Sequence, residues 1–191
     1  MGEFRRYAKA LFETAMLKHL NRTGYAYLGS GQESVAAHSF GVVFCAWLLA
    51  ELVPEADTEK VIKIAILHDL AEARTGDLNS INKLYNRVQE RKAFQDALSG
   101  LPFEEEGKQL LEEYWAQESL EACLAWDADQ LDLMIMLKEQ KDLGNPYAPR
   151  WLAYAKKRLK TKPGRRLAEA ILETDWASWW LDQFVDPNEK A

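Results

Sequence analysis

A chain of 191 residues is the size of one domain and long enough to bury a core without disulfides or other clips. With 48% hydrophobic and 28% charged residues it has the make-up of a folded globular protein rather than a disordered one. A net charge of −6 argues against a general nucleic-acid polymer binder, because no basic stripe exists to neutralise phosphates.

Nearly every segment has helical period and almost nothing alternates as a strand would, so an all-α single domain over residues 1–191 is expected. Residues 1–10 carry charge throughout and lack the apolar stretch of a secretory signal. Residues 4–20 place Phe4, Tyr7, Leu11, Phe12 and Met16 on one face, an amphipathic first helix with a solvated His19 near its end. Residues 21–32 hold Gly24, Gly29 and Gly31 and read as a loop. A second helix, about 33–52, is apolar nearly all round from Phe40 onward and should be central, with His38 interrupting it. Its run from Phe40 to Leu49 falls short of the ~20 residues that span a bilayer, so no membrane association is expected.

Asp57 is placed to cap a third helix over about 58–75. Residues 79–86 read as polar and irregular, followed by helices over about 86–98, 104–115, 119–143 and 150–160. A last helix opens at Pro163-Gly164 and ends in Trp176, Trp179, Trp180 and Phe184. Cys45 and Cys123 fall inside apolar helical patterns and read as buried free thiols, which suits a cytoplasmic protein.

The chemistry concentrates in residues 64–78, I-A-I-L-H-D-L-A-E-A-R-T-G-D-L. On a continuous helix His68 and Glu72 are i and i+4, and Asp69 and Glu72 are i and i+3, so the three share a patch. Buried among Ile64, Ala65, Ile66 and Leu67, such a patch is costly unless something pairs with it, and a divalent cation would. A histidine on an apolar helix face is most often a plain core residue. Here His38, on the preceding central helix, adds a second imidazole, and the helix over 119–143 offers Asp127, Asp129 or Asp132 as a second carboxylate. Two imidazoles and two carboxylates suit Mn, Co, Fe, Ni or Zn, whereas Ca would want more oxygens.

In order, His38, His68-Asp69 and Asp129 resemble the H…HD…D signature of the HD-domain phosphohydrolase superfamily. Arg22-Thr23-Gly24-Tyr25, the run from Glu33 to Ser39, His68 to Glu72, and Thr75 to Leu78 are similar to its 5′-deoxynucleotidase branch, over about Leu17 to Lys138. The resemblance implies an HD-domain helical bundle with a central metal site. Residues 17–138 would form its core, and helices within 149–185 would pack on it. One divalent metal ion (Mn, Co, Ni, Fe, Zn or Mg) would be held by His38, His68, Asp69 and Asp129, and the register favours Asp129 over Asp127 and Asp132. The implied reaction removes the 5′-phosphate of (deoxy)nucleoside monophosphates. In it Arg22 orients the phosphate, Glu72 works on the attacking water, Asp77 reads the sugar hydroxyl, and Tyr25, His38 and Asp129 border the substrate. Lys83 and Arg87 lie where they could touch the phosphate, although solvated surface charge is the plainer reading. The branch is typically a homodimer. Two positions depart from its pattern: Tyr25 stands where tryptophan is usual, and Ala37 where glutamate is usual. An HD hydrolase of nucleoside di- or triphosphates, or a metal-binding interaction module without turnover, are the alternatives.

Overall fold

Ser34, Asp57, Asn79, Ser119 and Thr161 each accept a backbone N–H from the turn that follows, and each starts a helix at that point. The structure, a computed structural model, describes residues 2–185. Its helices are α1 (Gly2–Ala15), α2 (Tyr25–Leu28), α3 (Val35–Glu51), α4 (Thr58–Leu67), α5 (Glu72–Thr75), α6 (Ser80–Tyr85), α7 (Glu90–Leu98), α8 (Glu104–Ala116), α9 (Leu120–Asp142), α10 (Ala148–Lys157), α11 (Lys162–Glu173) and α12 (Ser178–Val185). Among the described residues there is no strand, only a bridge between Asn21 and Ser34, and the all-α expectation holds. No helix among them is long and apolar enough to cross a membrane.

α9 is the axis. Leu124, Ala125, Ala128, Leu131, Met134 and Leu137 are buried on several sides of it, because α3, α4, α8, α10 and α11 all pack against it. α3 lies along α9 as expected of a central helix, and its Val42, Ala46 and Leu49 are fully buried. Its other face, Phe40, Phe44, Trp47 and Leu48, stays exposed, as do Phe4, Leu11 and Phe12 of α1. The amphipathic face expected of the first helix is therefore present but uncovered in the single chain. Between α1, α3 and the α4–α5 turn it borders a largely apolar groove of about 700 Å³.

Several boundaries differ from the sequence reading. The 58–75 helix is broken at His68 into α4 and α5. There the His68 ring Nδ1 bonds the Ala65 carbonyl at 2.7 Å, and the backbone tightens to i→i−3 bonds, Leu70 N to Leu67 O and Glu72 N to Asp69 O. Residues 79–86 are not irregular: the Asn79 side chain caps α6 through the Ile81 and Asn82 amides. The 21–32 loop contains the short α2, ended by Gly29 in the left-handed region. The helix expected from residue 86 begins at Glu90, and the last expected helix is two, α11 and α12, parted around residues 174–177. Cys45 is buried and Cys123 is partly buried; both are free.

Candidate metal centre

The two histidines arrive from different helices with their tautomers set. His68, at the end of α4, points Nδ1 at a carbonyl, which can only accept, so Nδ1 carries the proton and Nε2 presents its lone pair. His38, in the second turn of α3, places Nδ1 at 2.6 Å from the Asp132 carboxylate of α9 and likewise turns Nε2 inward. The two Nε2 atoms lie 3.4 Å apart. Asp69 Oδ2 is 3.1 Å from His68 Nε2 and 3.5 Å from His38 Nε2, and Asp129 Oδ1 is 3.3 Å from His38 Nε2. His38 and His68 are buried, and His68 is further held by the edge of Tyr114 at 6.2 Å between ring centres.

These separations test the fit of a cation. Two ligands ~2.1 Å from one ion and set at octahedral or tetrahedral angles lie ~3.0–3.4 Å from each other. The four observed distances cluster around that range. In their neutral, ligating form the two imidazoles turn lone pairs toward each other and toward carboxylates, which calls for positive charge between them. His38, His68 and Asp69 together fit a divalent metal, and Asp129 meets the group through His38. A second trio, Glu33, His38 and Asp132, sits on the other side of the His38 ring, where Asp132 is already engaged by Nδ1.

The electrostatics agree. On its own the protein keeps a proton on His38 up to about 10, because hydrogen bonds to Asp129 and Asp132 outweigh burial, which works against the imidazolium. Burial also works to raise Asp69, but the neighbouring His68, His38 and Arg22 hold it well below the ordinary carboxylate range. Glu72, at the start of α5, is pushed up to about 9 by burial and by the charges of Asp69 and Asp77.

These groups open on a cavity of about 220 Å³, bordered by His38, Asp69, Asp129, Glu72, Arg22, Tyr25 and Asp77. A larger groove, of about 700 Å³, lies elsewhere, against α1, and is lined by none of these ionisable groups. Arg22 reaches in from the loop before α2, and its Nη1 is buried without a hydrogen-bond partner. Burial works against its charge, yet Asp129, Asp69, Glu33 and Asp77 keep the guanidinium firmly protonated. The Arg22 loop is clamped at both ends: Arg22 N donates to Glu33 O at 2.9 Å, and Thr23 donates through its amide and hydroxyl to Asp77 Oδ2.

Each aspartate weighed on α9 has a different place. Asp127 turns away and accepts the Lys160 and Thr161 amides just ahead of α11. Asp129 faces the histidines. Asp132 stands behind His38, where Gly41 leaves room; a Cβ there would lie 1.9 Å from Asp132 Oδ1. Lys83 lines the cavity, whereas Arg87 is exposed and does not. Sequence reasoning missed Gln130 on α9 and Trp151, Tyr154 and Arg158, which also line it; the last three are marked out only by the packing of α10 along α9.

Compared with known proteins, a family profile described as HD domain matches residues 14–171. The 5′-deoxynucleotidase HDDC2 of Danio rerio is 31% identical over 138 residues, 68% of this chain and 68% of its own length. That of Mus musculus is 30% identical over 135 residues, 68% of this chain and 67% of its own. A conserved hypothetical protein from Pyrococcus furiosus, of solved structure, is 31% identical with a TM-score of 0.72, covering 87% of this chain and 99% of that one. A predicted metal-dependent phosphohydrolase from Magnetospirillum magnetotacticum shares the fold at 23% identity and a TM-score of 0.69.

Proposed function

Because this chain belongs to the HD-domain family and is a hydrolase of the metal-dependent nucleotide phosphohydrolase kind, we propose that it removes the 5′-phosphate of (deoxy)nucleoside monophosphates, releasing nucleoside and phosphate. The observation that carries the reading is Arg22: a buried guanidinium nitrogen without a partner, beside a converging set of metal-type donors, asks for an anion that also meets a cation.

His38, His68, Asp69 and Asp129 would hold one divalent ion. When bound, it supplies Lewis-acid polarisation of a phosphoryl oxygen and a lowered pKa for water. Arg22 grips the phosphate with its planar fork. Glu72, which burial and its acidic neighbours keep protonated in the metal-free protein, would be a carboxylate beside a bound cation, and in that form it orients the attacking water and takes its proton. Asp77 holds the Arg22 loop through Oδ2, and its other oxygen is the one available to a sugar hydroxyl. Tyr25 stands at the cavity wall beside the sugar position.

Arg22 and Glu72, which a purely metal-binding module would not need, favour turnover. We also propose that two copies associate through the exposed face of α3, Phe40, Phe44 and Trp47, which recur at helical spacing. A screen of nucleotides against Mn, Co, Ni, Zn and Mg, reading released phosphate, tests the activity. Release from nucleoside triphosphates but not monophosphates would overturn it.

A further inference from the structure

The cavity has two unlike ends. One is the charged end already described. From Asp129 its floor runs along α9 through Gln130 and Leu133 to Met136, seven residues and about 10 Å of helix. That distance takes the cavity from a phosphate held at Arg22 to the far side of one sugar-sized unit. Its wall there comes from α10, which packs along α9 and presents Trp151, Tyr154 and Arg158 at i, i+3 and i+7, on one helix face.

Three features of this cavity lining have no account in the fold alone. Tyr154 is 57% exposed although its ring borders the cavity. Arg158 stacks its guanidinium over Trp126 at 4.7 Å and lies 5.8 Å from the Tyr154 ring, yet it has no ion-pair partner among the described residues. Gln130 donates Nε2 to Asp129 Oδ2 at 2.7 Å while its Oε1, buried in the same cavity lining, has no donor. The wall is also registered to the phosphate end. The tip of the Trp151 ring rests on Gly24, two residues from Arg22, so closely that a Cβ there would meet it at 3.1 Å.

We propose that α10 is the specificity wall for the leaving group: a planar heteroaromatic base stacks against Trp151 and Tyr154, with Arg158 donating to acceptors on its edge. The inference rests on the phosphomonoesterase reading above and deepens it. Flat aromatic side chains accept any base face, and an arginine at the rim supplies donors only, which suits the carbonyl and ring-nitrogen acceptors of nucleobases. A simple sugar phosphate would fill the charged end and leave this wall unused.

The test compares a 2′-deoxynucleoside 5′-monophosphate with 2-deoxyribose 5-phosphate, which shares the phosphate and sugar but lacks the base, on the full chain loaded with the metal that best supports turnover. Wild type should prefer the nucleotide in kcat/KM by tenfold or more. Trp151→Ala should lose most of that preference, its nucleotide rate falling at least about tenfold further than its sugar phosphate rate. Trp151→Phe should restore much of it. Because Trp151 is partly buried, Tyr154→Ala, at an exposed position, and Arg158→Gln, which keeps an extended polar side chain, carry the test independently, and each should lower the nucleotide rate selectively. Equal wild-type rates on the two substrates, or parallel losses on both in every variant, would overturn the assignment. Wild type acting on the sugar phosphate while α10 variants leave the nucleotide rate untouched would also overturn it, with the phosphomonoesterase reading intact. Failure on both substrates by wild type would bring down that parent reading instead.

Discussion

Asp132 meets the Nδ1 of His38 at 2.6 Å, turning the ring so that Nε2 faces the other candidate ligands. The carboxylate fits only because residue 41 has no side chain: a Cβ on Gly41 would stand 1.9 Å from Asp132 Oδ1. Partners behind a ligating histidine are commonly worth ~10–100-fold in metal affinity. Gly41→Ala and Asp132→Asn should therefore both weaken metal binding by about that factor, read by competition with a chromogenic chelator. Unchanged affinity in Asp132→Asn would mean that the ring needs no help from this side.

Removal of a ligand has a sharper expected outcome. His68→Ala and Asp129→Ala should lose bound metal by elemental analysis while keeping their helical circular dichroism. Full occupancy in either folded variant removes that residue from the metal set, and Asp127 is not a substitute, because its carboxylate is taken up by Lys160 and Thr161, just ahead of α11.

Glu72 and Arg22 should separate in kinetics. Glu72→Gln is expected to keep metal and substrate while kcat falls by ~10²–10⁴-fold with little change in KM, the signature of a group acting on the water. Arg22→Ala should raise KM and lower kcat together, since the guanidinium meets the phosphate before and during the reaction. A metal-loaded Glu72→Gln enzyme with more than a tenth of wild-type kcat would sink the catalytic role.

The stability of the metal-free protein should depend on pH with a definite sign. His38 is raised from 6.5 to about 10, so its stabilising contribution is whole below about 6.5 and is lost as pH rises through 10. Glu72, raised from 4.5 to about 9, acts the same way: the folded state favours its protonated form, and that advantage disappears as pH rises from 4.5 toward 9. With chelator present, Tm should fall steadily between pH 6 and 9. A bound cation replaces the His38 proton, so metal should flatten the profile and bind more tightly as pH rises. A flat chelated profile would contradict the assigned charge states.

Light scattering at micromolar concentration should give about 44 kDa, twice the 21.9 kDa chain, and Phe44→Glu should halve it. A mass of about 22 kDa for wild type would leave the apolar face of α3 without this explanation.

The helices were legible in the sequence because their signals are local. Ser34, Asp57 and Ser119 sit one residue before apolar periodic runs, and each caps the helix it precedes. Apolarity all round marked α3 as central, and it does lie along α9, although its Phe40, Phe44 and Trp47 remain exposed in the single chain. The order of His38, His68-Asp69 and Asp129 was legible too, as a set of residue types able to share a cation. What the sequence could not decide depends on contacts between residues far apart in it. By residue type alone Asp127, Asp129 and Asp132 look alike; the family register favoured Asp129, but what each carboxylate does depends on which side of α9 meets α3 and which meets the segment before α11. The break at His68 follows from its ring taking the Ala65 carbonyl, and Trp151, Tyr154 and Arg158 join the cavity only because α10 packs along α9. Periodicity tells which faces are buried; only the packed structure tells against what.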